Sequence, residues 1–236
     1  MSDPLVSCLT ATYGRYSVLR DAITCFIEQD YEKKELIILN NHPIPIHCNL
    51  PQVTVHNTPG YPTLGHCRNR LLELANGEFV RTWDDDDLYL PWAISQGVEM
   101  ILDEADIWQP NRSWSWHKDK DRCILQGNVY EASWTTRTGA ARKVGYKLGG
   151  GNEHAPLKKL KRVRTEMGPE KSSYVYTWGT GLCHISGTLG HKNGIEWRTQ
   201  RWMKKNNDHG NEKLIELTDL TPYWERIKKA RKEHVD

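Results

Sequence analysis

The chain has 236 residues, 38% of them hydrophobic, with a mean hydropathy of -0.70 and a formal net charge of +2. That is enough chain for one large domain or two small ones, with a sizeable core. No stretch reaches the length of a membrane span, and no basic-then-apolar leader opens the sequence, so a soluble, cytoplasmic protein is expected. The six cysteines, Cys8, Cys25, Cys48, Cys67, Cys123 and Cys183, contain no CxxC pair, which argues against a disulfide framework or a zinc site. Acidic residues concentrate at 84–87, whereas Lys158–Arg164 and the last thirty or so residues are basic.

In chain order, Leu5–Leu9 is a short apolar strand, and Val18, Leu19, Ala22, Ile23, Phe26 and Ile27 recur at helical spacing. Glu35–Leu39 is a second buried strand ending in the turn Asn40-Asn41-His42-Pro43, and Val53–Val55 is a third. A helix runs from Leu64 to Ala75 and stops at Asn76-Gly77. Then come a strand over Gly77–Trp83, four consecutive aspartates Asp84–Asp87, and a helix from Pro91 to about Asp103. Runs this apolar in β-α-β order predict a mainly parallel sheet covered on both faces.

The second half is less regular. Strands are expected at Ile107–Pro110 and Cys123–Val129, separated by the Trp-rich Ser113–His117. A helix is expected over Thr135–Val144, and Gly149–His154 reads as a turn into a basic helix from Leu157 to Val163. Ser173–Trp178 alternates as a strand, Trp178–His184 is a glycine-punctuated loop, and the tail from Pro222 is a charged helix.

Four adjacent carboxylates gain nothing for folding. They are either a solvated acidic turn or a site for a hard cation such as Mg²⁺ or Mn²⁺. Their place at the carboxyl end of a strand is where open α/β sheets bind ligands. The polar turn Thr10-Ala-Thr-Tyr-Gly-Arg15, leading into a helix, suits a phosphate or a nucleotide, and Tyr13 suits stacking on a base.

The segments Val6–Arg15, Gln29-Asp-Tyr31, Glu35–Asn41, Leu64–Arg70, Ala75–Phe79 and Asp84–Pro91 occur in an order and spacing that resemble the family-2 glycosyltransferases. The resemblance covers roughly residues 4–105. It implies a glycosyltransferase A-type fold, and with no internal repeats and no disordered-looking linker the chain reads as a single catalytic domain, 1–236. Residues 1–105 would form the nucleotide-sugar-binding half, and 106–236 the acceptor half with a C-terminal helix. It also implies an inverting transfer from a nucleotide-sugar donor, a UDP-sugar by preference, with Mn²⁺ or Mg²⁺ as cofactor.

By the same resemblance Asp84 and Asp86 are the DxD pair. Asp86 would ligate the metal, Asp84 or Asp85 would contact the ribose or a metal-bound water, and Asp87 would cap a helix or brace a neighbour. Thr10, Thr12, Tyr13, Arg15, Asn41 and Arg68 are carried over as further donor-binding candidates. Asn40 and Asn41 stand where the family usually has aspartates, one of which reads uracil, so the UDP assignment is weakened. An Asn side chain still offers a donor and an acceptor to a base.

The general base is expected at Glu153, with His154, which replaces the second residue of the family's Glu-Asp pair, as the alternative. His184 resembles the late histidine that closes the metal site in several such enzymes. Trp114, Trp116, Trp134 and Trp178 are candidates for stacking on the acceptor, with core packing as the competing role for half or more of them. The basic second half suits a polyanion, so a hydroxymethylated base in DNA stands as one acceptor and a soluble saccharide as another. A nucleotidyltransferase is disfavoured by the poor phosphate loop at Thr10–Arg15. A noncatalytic carbohydrate- or DNA-binding module has no use for Asp84–Asp87.

Overall fold

A computed structural model describes residues 3–117, 122–127, 130–149 and 152–178. Strands β1 (Val6–Thr12), β2 (Lys34–Asn40), β3 (Val53–Asn57) and β4 (Phe79–Thr82) pair in parallel in the order β4-β1-β2-β3, with Leu9 beside Ile37 and Thr82. Their apolar runs alternate between two cores. Val6, Cys8, Leu36 and Ile38 face helices α1 (Tyr16–Ile27) and α3 (Ala93–Met100), while Leu9, Ile37 and Leu39 face helix α2 (Leu64–Leu74). Burial on both faces is why these strands read as continuous apolar segments rather than alternating ones.

The sheet extends past β4 through β9 (Thr135–Arg137), β6 (Ile107–Pro110) and β10 (Arg162–Thr165), giving seven strands in the order β10-β6-β9-β4-β1-β2-β3. Strand β9 is antiparallel to both its neighbours, and all the other pairs are parallel. A second sheet has the order β5-β11-β7-β8, built from Leu88–Tyr89, Tyr174–Trp178, Arg112–His117 and Arg122–Gly127. The architecture is the expected α/β one with a mainly parallel central sheet, and the four-stranded sheet is an addition to it.

Three second-half expectations are corrected. Thr135–Arg137 is strand rather than helix, and α4 is only Thr138–Val144. β-branched threonines fit the slot between β4 and β6, and that tertiary pairing overrides the local helical pattern. The basic helix expected from Leu157 is a 3-10 turn, Ala155–Lys159, followed by β10. The Trp-rich segment between β6 and β8 is itself strand β7. Helix α3 is also shorter at both ends than expected.

Close approach explains one glycine in α3. A Cβ on Gly97 would lie 2.0 Å from the Thr135 hydroxyl and 2.8 Å from a nitrogen of Arg81. Arg81 is buried in β4 and donates to Ala93 O at 2.6 Å and to Thr135 Oγ1 at 3.0 Å, tying α3 and β9 to the sheet. Cys8, Cys25, Cys48 and Cys67 are free thiols, and burial pushes Cys8 up to about 12 and Cys67 up to about 11. Cys8, Cys25 and Cys67 are buried packing residues with raised pKa values, and Cys48 is partly exposed.

Among the described residues no helix is long and apolar enough to cross a membrane. The glycine-punctuated loop, His184 and the C-terminal helix expected from Pro222 lie outside the described residues.

Candidate active site

Because β1 and β4 are parallel neighbours, their carboxyl ends bring the Thr12–Arg15 turn beside Asp84–Asp87. Trp83 anchors the start of the acidic turn. Its ring stacks on Tyr89 with centroids 3.7 Å apart, and its indole N–H donates to Ala22 O at 2.9 Å. The backbone N–H of Asp84 donates to the Tyr89 hydroxyl at 2.7 Å.

The four aspartates then diverge. Asp85 is buried and accepts from the Thr12 hydroxyl at 2.7 Å and from both Nε and Nη2 of Arg15. Burial raises its pKa from 3.8 to about 7, against the opposing pull of Arg15. Asp86 accepts from Arg15 Nη1 at 2.7 Å. Asp87 accepts from the Tyr174 hydroxyl and, at 2.8 Å, from the backbone N–H of Thr177, so it braces β11. Asp84 is the most open, with 30% of its side chain exposed, and its Oδ1 accepts from Arg68 Nη2 at 2.9 Å.

Arg68 projects from α2, where Thr63 caps the helix and accepts from His66 N–H. Its Nη1 donates to Glu131 Oε2 at 2.6 Å and to Glu153 Oε1 at 2.9 Å. The three carboxylates around it push its pKa well up, overcoming the effect of burial. Glu131 also accepts from the hydroxyls of Thr82 and Tyr146. No motif in the sequence singles out Glu131. It opens the short 3-10 turn Glu131–Ser133, and its long-range contacts, above all the one across 63 residues with Arg68, identify it.

The two arginines of this cluster thus face five carboxylates, an excess of negative charge that a divalent cation relieves. Among the described residues no three His, Cys, Asp or Glu side chains are gathered as a ready-made cation cage. The donor set still fits Mg²⁺ or Mn²⁺. Such ions bind through one or two carboxylates and complete their shell with substrate phosphates and water.

His154 lies beside Glu153, with its ring edge-on to Trp134 at 6.0 Å between centroids. Burial lowers its pKa in spite of Glu131 and Glu153, which pull the other way.

Several expected donor contacts are engaged elsewhere. Thr10 is buried, and its hydroxyl donates to Trp83 O at 2.6 Å. Asn41 donates to Tyr61 O and accepts from Tyr61 N–H, both at 2.8 Å, so its amide closes a loop instead of facing a base. Tyr13 lies at the same end of the sheet, with His42 edge-on at 5.0 Å. Trp114, Trp116 and Trp134 are core residues, 0%, 3% and 2% exposed, and present no open face for stacking. The backbone of Trp178 ends β11, but its side chain lies outside the described ones.

The sequence model described as "Glycosyl transferase family 2" matches residues 7–124, half of the chain and the part that carries β1–β4 and the acidic turn. The chain belongs to glycosyl transferase family 2. A putative colanic acid biosynthesis glycosyl transferase, WcaA, of Escherichia coli (strain K12) is 30% identical over 102 residues, which is 40% of this chain and 37% of that protein. The chain therefore matches well under half the length of this curated family-2 relative.

Solved structures extend the likeness in fold. S. aureus TarS 1-349, in complex with UDP-GlcNAc, superposes with a TM-score of 0.58 at 14% identity, covering 87% of this chain and 72% of that one. The mannosyltransferase PcManGT from Pyrobaculum calidifontis, in complex with GDP-Man and Mn²⁺, does so at 0.54 and 12% identity, covering 98% and 70%. The fold of this family-2 chain is the glycosyltransferase A type.

Proposed function

We propose that this family-2 chain transfers a sugar from a nucleotide-sugar donor to an acceptor hydroxyl, with a divalent cation at Asp84–Asp86. One observation carries the reading. The acidic turn ends β4 beside the β1 turn, with its aspartates sorted by Arg15 and Arg68 rather than left in solvent. A bound cation would supply Lewis-acid neutralisation of the charge that develops on the leaving diphosphate. Asp86, with Asp84 beside it, would hold that cation. Asp85, bonded to Thr12 and Arg15, fixes the turn from beneath.

The neighbour structures contain UDP-GlcNAc in one case and GDP-Man in the other, so they support a nucleotide-sugar without choosing the base. UDP remains the first choice. Tyr13, flanked by His42, suits stacking on uracil, while Asn41 serves the loop rather than the base.

An inverting transfer needs an acceptor-side base. Glu153 Oε1 accepts from the Arg68 guanidinium at 2.9 Å, so that oxygen is already engaged. His154 has no hydrogen bond from its ring among the described residues, and burial keeps it neutral, with a lone pair available near neutral pH. His154 is therefore the better base of the pair, and Glu153 orients the arginine.

For the acceptor, the basic surface around Lys158–Arg164 supports a phosphate-bearing polymer, with a hydroxymethylated base in DNA as the specific candidate. The test is a thermal-shift panel of nucleotide-sugars with and without Mn²⁺, since a ligand that binds the native state raises Tm. A cation-dependent rise with one donor series is the expected result. No rise with any nucleoside diphosphate or nucleotide-sugar would remove the reading.

A further inference from the structure

Beside the candidate base lies a group of N–H donors without acceptors. The Arg162 guanidinium stacks over the Trp134 ring, with its central carbon 4.2 Å from the ring centroid. Its Nη1 donates to Gln109 Oε1 at 2.9 Å. Arg162 Nε and Nη2 and Trp134 Nε1 are all buried and, among the described residues, have no hydrogen-bond partner. Orphaned buried polar atoms are costly, and native proteins keep few of them without a reason. All three here are donors, so what they lack is an acceptor, and a guanidinium selects an anionic one.

The surroundings point to the same chemistry. Strand β10 is the outer edge of the seven-stranded sheet, and Arg164 projects to the same face as Arg162, two residues on. Burial and the Arg164 charge together lower the Arg162 pKa, so the two cations repel rather than being neutralised. Lys158, Lys161 and Arg164 are exposed, and among the described residues none of them, nor Arg162, forms an ion pair. Trp134 links this strip to the centre, because the other ring at its edge is that of His154.

We infer that Arg162, Trp134 and Arg164 form an anion subsite that takes a backbone phosphate of the acceptor and sets its hydroxyl beside His154. The inference rests on the reading of the chain as a transferase acting on DNA, and it adds to that reading the residues that seat the acceptor. Stacking on Trp134 keeps the guanidinium plane fixed, so a phosphate meets a pre-oriented fork. The lysines along the strip supply the weaker, sequence-independent attraction expected for a phosphodiester chain.

The full chain, with its donor site saturated by UDP, is titrated with a labelled duplex containing hydroxymethylcytosine, and separately with inorganic tripolyphosphate. Variants are Arg162→Gln, Trp134→Phe, which keeps a smaller aromatic ring and removes the N–H, and the exposed Arg164→Gln. Arg162→Gln should weaken both probes by roughly tenfold or more. Each arginine removed should lower the salt slope of duplex binding by about 1. UDP affinity should stay unchanged throughout.

If Arg162→Gln loses UDP binding as well, it has not folded, and Trp134→Phe and Arg164→Gln carry the comparison. Weakened tripolyphosphate binding in the variants with unchanged duplex binding would retain the anion subsite and reject DNA as acceptor. Unchanged affinity for both probes in folded variants would overturn the subsite.

Discussion

Arg68 Nη1 lies 2.9 Å from Glu153 Oε1, joining helix α2 to the segment that carries the candidate base. The same guanidinium reaches Asp84 through Nη2 and Glu131 through Nη1. One cation thus fixes the spacing between the acidic turn and the segment of Glu153, and its removal strands three carboxylates in a partly buried place.

Arg68→Met should therefore destabilise the fold by about 3–5 kcal/mol, the usual cost of leaving buried charges uncompensated. Adding Glu131→Gln removes one of those charges, so the double variant should recover part of the loss. Urea unfolding of the two variants measures this. A double variant less stable than Arg68→Met would show that Glu131 does not act through the arginine.

The base assignment separates two neighbours. His154→Gln should lower kcat by roughly 10²–10⁴-fold with little change in donor KM, the range for removal of a general base. Glu153→Gln should have the smaller kcat effect, because its contact is with Arg68. The reverse ranking in steady-state kinetics would return the role to Glu153.

His154 also sets a pH dependence. Burial depresses its folded-state pKa below 6.5, with Glu131 and Glu153 opposing and Lys158 and Arg68 adding to the depression. The unfolded chain therefore takes up this proton first. The stability tied to it is fully present above about 6.5 and is lost as pH falls through the depressed value. Asp85, raised to about 7, pulls the other way over the same range, so the test is a difference: between pH 7.5 and 5, His154→Gln should lose less stability, or gain more, than the wild type in chemical denaturation. An equal slope in the variant would show that other groups set it.

Packing at the start of α2 gives an independent check. A Cβ on Gly65 would lie 2.0 Å from the backbone oxygen of Lys147, so neither side can yield without moving main chain. Gly65→Ala should cost about 1–3 kcal/mol. An unchanged urea midpoint would contradict this placement of α2 against the segment after α4.

The first half of the fold was legible because each element carries its own signal. Alternate burial made β1 and β2 continuous apolar runs, and Asn76-Gly77 ended α2 where the structure ends it, within a residue or two. The second half depends on pairing between distant segments. Thr135–Arg137 becomes strand because β4 and β6 leave a slot for it, and β10 because Ile107–Pro110 offers it an edge.

The site followed the same division. Asp84–Asp87 stand out as a local run, but their separate roles come from partners 70 or more residues away for Asp85, Asp86 and Asp87. Thr10, Asn41 and the three buried tryptophans carry suitable chemistry for ligands, yet each is engaged or enclosed within the fold. Glu131 is the converse, an unremarked residue that long-range contact brings to the centre.

The most direct test of the whole account is sugar transfer or donor hydrolysis by the wild-type chain and Asp86→Asn, each with Mn²⁺ and with a chelator. The wild type should turn over only with the cation. In the variant turnover should fall by roughly a hundredfold or more, in line with loss of a group that stabilises developing charge. Equal wild-type turnover in chelator, or full activity in Asp86→Asn, would contradict a cation-assisted transfer at the acidic turn.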